Sequence, residues 1–219
     1  VDIVTSFSAN MISRKRGDDI YIGVRPQKEI RKKQDAGGGG MPVPKKTEYT
    51  LEDIYALPDG QRAELISGQL YRMAPPSTRH QRLVNFLTTE INLYIRKKQG
   101  RCEVLPAPFA VFLEDADGNE NLVEPDISVI CDPEKIDEKG CHGAPNWVIE
   151  IVSPSSKSID YGRKQALYLL SGVREYWIVD PIRESAVIYR AAEDWIPMFY
   201  RFGDSLKAGI YENLEIVIE

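Results

Sequence analysis

Two carboxylates stand where buried strands want Val or Ile. Asp126 lies in "VEPDISVI" (123–130) and Glu150 in "NWVIEIVS" (146–153), the two most apolar runs of the chain. An ionised carboxylate is rarely buried unless it is paired or holds a metal. The two acids are 24 positions apart, and the polar stretch between them, "CDPEKIDEKGCHGAP", is long enough to reverse direction. On neighbouring strands they would meet at one end of the pair. Carboxylates ~4 Å apart repel strongly at low dielectric and invite a cation. Oxygen ligands alone suit Mg²⁺ or Mn²⁺, ions that lower the pKa of water and stabilise a phosphorane-like transition state. A lone acid at such a place is better read as a turn cap or an arginine partner. Two in adjacent core strands favour the shared cation.

Lys164 is the candidate ammonium beside them. It shares a helix face with Tyr168 at i, i+4 spacing; the alternative is a solvated helix lysine. Cys141-His142 lacks the CxxC-type spacing of a structural zinc site. "SPSS" (153–156) is no G-x-S-x-G elbow and reads as a loop that caps the next helix or touches phosphate. Tyr176 and Trp177 read as core, and "RKKQGR" (96–101) as a solvated helix end.

These side chains need elements to position them. "TLEDIYAL" predicts a helix capped by Thr50, with Leu51, Ile54, Tyr55 and Leu57 on its apolar face, ended by the Pro58-Asp59-Gly60 turn. "AELISGQLYRMA" predicts a hairpin around Ser67-Gly68. Ser77 caps a long helix with Leu83, Val84, Leu87, Ile91, Tyr94 and Ile95 at helical spacing, closed by Gly100. Strands are expected near 102–106, 108–114 and 122–131, with an Asp117-Gly118 turn between the last two. The Glu150 strand, a helix over "SIDYGRKQALYLLSGV" closed by Gly172, and the strand "EYWIVD" follow. "SAVIYR", "WIPMFYRF" and "LEIVIE" read as a terminal antiparallel meander. The pattern is α/β, helices around a mixed sheet.

The chain of 219 residues holds one ordinary domain, here 49–219, after a tail and linker over 1–48. "DAGGGGMPVPKK" cannot carry regular structure. Met41 is a candidate native start, and a basic flexible arm is the other reading of the tail. Residues 1–40 carry a balance of +3 and the rest −8; an acidic body argues against broad nonspecific DNA binding, though not against a local groove or a screening metal. No run approaches the ~20 apolar residues of a membrane span, and no apolar h-region marks a secretory signal. Three cysteines, odd in number and unpatterned, suggest a reducing cytoplasm.

Pro125-Asp126 followed by Glu150-Ile151-Val152 resembles the PD-(D/E)XK nuclease signature. "AELISGQLYRMAPPSTRHQ", "EPDISVICD" and "APNWVIEIVSPSSKSIDYGRKQALYLLSGVREYWIVDP" together resemble the Uma family, a branch of that superfamily described as "putative restriction endonucleases", over nearly the whole chain past the linker. The resemblance implies a restriction-endonuclease-like fold: a mixed central sheet flanked by helices, with an N-terminal hairpin and C-terminal antiparallel strands. It implies Mg²⁺ or Mn²⁺ held by Glu64, Asp126, Glu150 and the Ile151 carbonyl, and DNA as substrate. The superfamily's lysine two residues past the acid is Val152 here, and Lys164 of the next helix matches the displaced position. What matters is where the ammonium sits. His80 falls at the family's histidine, as a phosphate contact, a proton carrier or a polar group at a helix start. The expected activity is metal-dependent DNA endonuclease in a cytoplasmic protein, with a homodimer fitting double-strand cutting. The alternatives are a nucleic-acid-binding or regulatory module without turnover, and a structural domain on the same fold.

Overall fold

The computed structural model describes the backbone of residues 12–16 and 19–23, and residues 48–115, 118–154 and 156–219. The chain divides into two units, Val1–Pro44 and Lys45–Glu219. In the first, β1 (Ile12–Arg16) and β2 (Asp19–Gly23) form an antiparallel ladder; the glycine-rich linker and Met41 lie outside the described residues.

In the second unit, α1 (Leu51–Tyr55) begins at a capping box in which Thr50 N donates to Asp53 Oδ2 at 2.8 Å. β3 (Ala63–Ile66) and β4 (Gln69–Arg72) form the expected hairpin. Its two loop residues, Ser67 and Gly68, have φ of 48° and 68°, the positive pair that a type I′ turn needs. α2 (Thr78–Lys97) starts at Ser77, whose hydroxyl accepts from His80 N at 3.2 Å. Then come β5 (Glu103–Pro106), β6 (Val111–Glu114), β7 (Glu120–Val123), β8 (Ile127–Ile130), β9 (Ile136–Asp137), β10 (Gly140–His142) and β11 (Trp147–Ile151). A π-helical turn, Ile159–Lys164, runs directly into α3 (Gln165–Ser171). Gly172 ends that helix at φ 89°. β12 (Glu175–Asp180), β13 (Ser185–Arg190), β14 (Met198–Arg201), β15 (Ser205–Lys207) and β16 (Glu215–Val217) complete the chain.

The strands build two six-stranded sheets of mixed orientation, ordered β4-β3-β7-β6-β10-β9 and β14-β13-β12-β11-β8-β5. The parallel contacts are β6–β10 in the first and β11–β12 in the second. The single central sheet expected from the sequence is therefore two. The strand expected over 122–131 is the crossing point: β7 belongs to the first sheet and β8 to the second. Pro125 lies in the break. It has no N–H for a ladder and it restricts Glu124, so an apolar run that reads as one strand is divided. Strand β6 likewise starts at Val111, past Pro108. Gly118, at φ 79°, turns β6 into β7, while Asp117 lies outside the described residues. The expected terminal meander divides too: β13 and β14 extend the second sheet, and β16 pairs with β15.

Alternation along β11 sends its side chains to two cores. Trp147, Ile149 and Ile151 face a cluster with Leu83, Leu87 and Ile91 of α2. Val148 and Val152 face a second cluster with Tyr168 of α3 and with Ile66 and Val123 of the first sheet. Each such fully buried aliphatic contributes about 1.5–3 kcal/mol. Glu150 therefore points to the α3 side. Cys102 and Cys131 are disulfide-bonded, which corrects the reading of three unpatterned thiols. β5 and β8 pair with Glu103 opposite Ile130, so the two cysteines face each other one step beyond the ladder. That register is invisible in sequence spacing. Cys141 is free and buried. Among the described residues no helix is long and apolar enough to cross a membrane.

Candidate active site

β8 and β11 are antiparallel neighbours with Trp147 opposite Val129, Val148 opposite Ser128 and Ile149 opposite Ile127. The next step of that register sets Glu150 opposite Asp126, at the end of the ladder. On the α3 side, Glu150 Oε1 accepts from Lys164 Nζ and from Tyr168 Oη, each at 2.8 Å. The i, i+4 spacing of Lys164 and Tyr168 is what delivers both donors to one oxygen. Lys164 is not a solvated helix lysine: it is 4% exposed. It closes the π-helical turn, a rare geometry that recurs at functional sites.

Glu64 arrives from the first sheet. Its neighbours on β3 are all buried, and its Oε1 lies 2.8 Å from Lys164 Nζ while accepting from Glu124 N at 2.9 Å. One ammonium thus bridges two carboxylates from different sheets. Asp126 sits alongside, where its Oδ2 accepts from Ile151 N at 2.7 Å and meets His80 Nε2 at 3.1 Å. The first turn of α2 brings His80 there, and the ring is buried. Glu64, Asp126, Glu150, Ile151, Lys164 and His80 are therefore linked by direct contacts through Lys164 Nζ and the Ile151 backbone. Among the described residues no arginine pairs with Glu64, Asp126 or Glu150.

One acid of this cluster escaped the sequence reading. Asp160, on the same π-helical turn, is 1% exposed and has Oδ1 3.9 Å from Lys164 Nζ. Among the described residues neither of its carboxylate oxygens accepts a hydrogen bond. The nearby Ser156 hydroxyl favours its charged form, but the hydrogen bonds of that hydroxyl are with Ser153. The i, i+4 spacing from Asp160 to Lys164 in "DYGRK" was the available sign.

Burial sets the electrostatics. It drives the Glu150 carboxyl well up, with Lys164 opposing and Asp160, Asp126 and Glu64 reinforcing. It pushes Asp160 up to about 6, again against Lys164 and with help from Glu64 and Asp126. For Lys164 burial works downward, but Glu150, Glu64 and Asp160 outweigh it and hold the ammonium charged. Burial also opposes protonation of His80, and the Asp126 contact overrides it, raising that pKa. Tyr168 is held in its phenol form by burial and by Glu150.

Among the described residues no group of three or more His, Cys, Asp or Glu closes ready-made around a metal. The donor chemistry nevertheless fits a hard divalent cation. The acids are Glu64, Asp126, Glu150 and Asp160; with all four ionised and His80 protonated, their charge exceeds that of Lys164 and His80 by two. That excess is what one divalent ion balances. The second oxygens of Glu64 and Glu150 and Oδ1 of Asp126 accept no hydrogen bond among the described residues. Oxygen-only donors of this kind suit Mg²⁺ or Mn²⁺.

The family model of Uma2, described as "putative restriction endonuclease", matches residues 51–218. The chain belongs to the Uma2 family. A Uma2 assignment agrees with the fold: a crystal structure titled a "putative nuclease belonging to DUF820", from Anabaena variabilis, superposes with a TM-score of 0.59 at 22% identity, covering 74% of this chain and 89% of that one. The restriction-endonuclease-like α/β architecture expected from the sequence is thereby met. The Synechocystis protein slr1290 is 26% identical over 150 residues, 67% of this chain and 76% of its own length.

Proposed function

We propose that this Uma2 protein is a divalent-metal-dependent endonuclease that hydrolyses phosphodiester bonds in DNA. The observation that carries this reading is the meeting of Glu64, Glu150 and Lys164 at 2.8 Å contacts beside Asp126. These groups come from both sheets and from the turn before α3. Family membership supports the reaction class.

In this reading Glu64, Asp126, Glu150 and the Ile151 carbonyl hold Mg²⁺ or Mn²⁺. Bound there, the ion supplies Lewis acidity toward a phosphoryl oxygen and an acidified water. The chain's own groups do the rest. The Ile151 amide fixes Asp126 through its Oδ2, leaving the other oxygen for a ligand. Tyr168 fixes Glu150 in the same way. Lys164, kept charged by its acidic neighbours, brings positive charge to the phosphate as negative charge develops. His80, raised by Asp126, holds a proton at Nε2 against Asp126 Oδ2 and is the proton carrier of this reading. A homodimer acting on both strands belongs to the same proposal.

A second reading has one observation in its favour. Lys164 is tied to both Glu64 and Glu150, the arrangement of a site at rest, so the fold would bind nucleic acid without turnover. The experiment is cleavage of supercoiled plasmid with Mg²⁺, Mn²⁺ or EDTA, for the parent and for Glu150→Ala. Nicked or linear product that needs metal and is lost in Glu150→Ala supports the enzyme. DNA binding without product under any metal supports the second reading and ends the first.

A further inference from the structure

A divalent cation on the free oxygens of Glu64 and Glu150 would bring like charge against the Lys164 ammonium. The ammonium lies 2.8 Å from Glu64 Oε1 and 2.8 Å from Glu150 Oε1, two of the acids that would hold the ion. Like charges a few ångströms apart at low dielectric repel by several kcal/mol. Lys164 is buried within a helical segment, with no solvent beside the ammonium to replace those acids. A buried ammonium needs another buried anion.

Asp160 meets that need. It is more deeply buried than Glu64, Glu150 or Lys164, neither of its oxygens accepts a hydrogen bond among the described residues, and Oδ1 is 3.9 Å from Nζ. A lysine has rotatable bonds enough to close the remaining ångström. The backbone under Asp160 is pinned, since its carbonyl accepts from the buried Tyr176 Oη at 3.0 Å and its N–H donates to Ser156 O at 3.0 Å. A buried carboxylate that accepts no hydrogen bond among the described residues is costly to the fold, and Asp160 stands beside the ammonium that a bound cation would repel.

We propose that Asp160 is a standby counter-ion for Lys164: when a divalent cation engages Glu64 and Glu150, the ammonium transfers to Asp160 and stays buried, charged and next to the reacting phosphate. Asp160 is thus a positioning residue that acts through Lys164. The inference rests on the metal-dependent reading above.

The test is a titration of Mn²⁺ into the full chain, followed by thermal shift and calorimetry, for the parent, Asp160→Asn, Lys164→Met and the double variant. In Asp160→Asn the ammonium has nowhere to go and competes with the ion, so Kd for Mn²⁺ rises by about tenfold. In the Lys164→Met background the same change leaves Kd unaltered, because no ammonium is displaced. An unchanged Kd in Asp160→Asn overturns the proposal. So does an equal loss in both backgrounds, which would make Asp160 a direct ligand. A parent with no Mn²⁺ response sinks the metal-dependent reading and this proposal with it, whereas a responsive parent with an indifferent Asp160→Asn sinks this proposal alone. A crystal structure of the parent grown with Mn²⁺ gives the same answer without variants: Nζ within hydrogen-bond distance of Asp160 supports the transfer, and Nζ still on Glu64 and Glu150 refutes it.

Discussion

Lys164 Nζ donates to Glu150 Oε1 at 2.8 Å inside a cluster where both residues are almost wholly buried. Taking both charges out of water is expensive, and the pair alone rarely repays it. Removing one partner is worse than keeping both. Lys164→Met leaves Glu64 and Glu150 buried without a cation, and the metal-free protein loses about 3–5 kcal/mol in urea unfolding. Adding Glu64→Gln and Glu150→Gln restores most of the loss. A Lys164→Met protein as stable as the parent would show that water enters the cluster and that its charges are screened.

The contact of His80 Nε2 with Asp126 Oδ2 at 3.1 Å predicts a titration. The chain has two histidines, His80 and His142, so the ring signals are separable by NMR. His80 titrates above the ordinary histidine value because Asp126 favours the imidazolium more than burial disfavours it. A raised folded-state pKa stabilises fully below the unfolded value, and the contribution is lost as pH rises through the folded one. In Asp126→Asn the His80 pKa falls toward or below that of a free histidine. A His80 signal indifferent to Asp126→Asn would break the link between the two.

Much of this site was readable in advance because local rules act over a few residues. Thr50, Ser77 and Gly172 mark helix ends by hydrogen bonds and a positive φ that only certain residues supply. The Ser67-Gly68 turn fixes the register that buries Glu64. Asp126 and Glu150 announced themselves by being charged in apolar runs. What failed to show was whatever depends on sheet order. Pro125 divides one apolar run between two sheets, and the Cys102–Cys131 bond follows from the pairing of β5 with β8. Asp160 stayed hidden because an acid four residues before a lysine is the commonest surface pattern of a helix. Only the two-sheet packing buries it.

Asp160 also reverses the usual acid behaviour. Its carboxyl titrates at about 6 in the fold, above the ordinary 3.8. Between those values the folded state binds the proton more tightly than the unfolded state, so the group's contribution to stability grows as pH falls through that interval. Glu150, also raised, pulls the same way. Asp160→Asn flattens this part of the stability profile and makes the metal-free protein more stable at neutral pH. Urea midpoints measured on both sides of about 6 decide it; an unaltered profile means the carboxylate is already satisfied.

Glu175 is the control that separates structural burial from a working site. It is fully buried at the other end of β12, where Oε1 accepts from Trp177 Nε1 at 2.7 Å and Arg190 Nε at 3.3 Å, and Oε2 from Gly209 N at 2.7 Å and Ile210 N at 3.0 Å. Every lone pair that matters has a donor, in contrast to Asp160, so nothing is left over for a ligand. The carboxylate ties the loop before β16 to the second sheet. Glu175→Gln turns an amide N–H₂ toward donors, and the lost charge-assisted hydrogen bonds cost about 1.5–3 kcal/mol. Urea unfolding registers that loss, with faster amide exchange at Gly209 and Ile210. The Mn²⁺-induced rise in Tm stays at the parent's value, because Glu175 pairs with Trp147 at the far end of β11 from Glu150. A Glu175→Gln protein that folds normally yet loses its metal response would place a ligand-binding role at this end of the sheet as well.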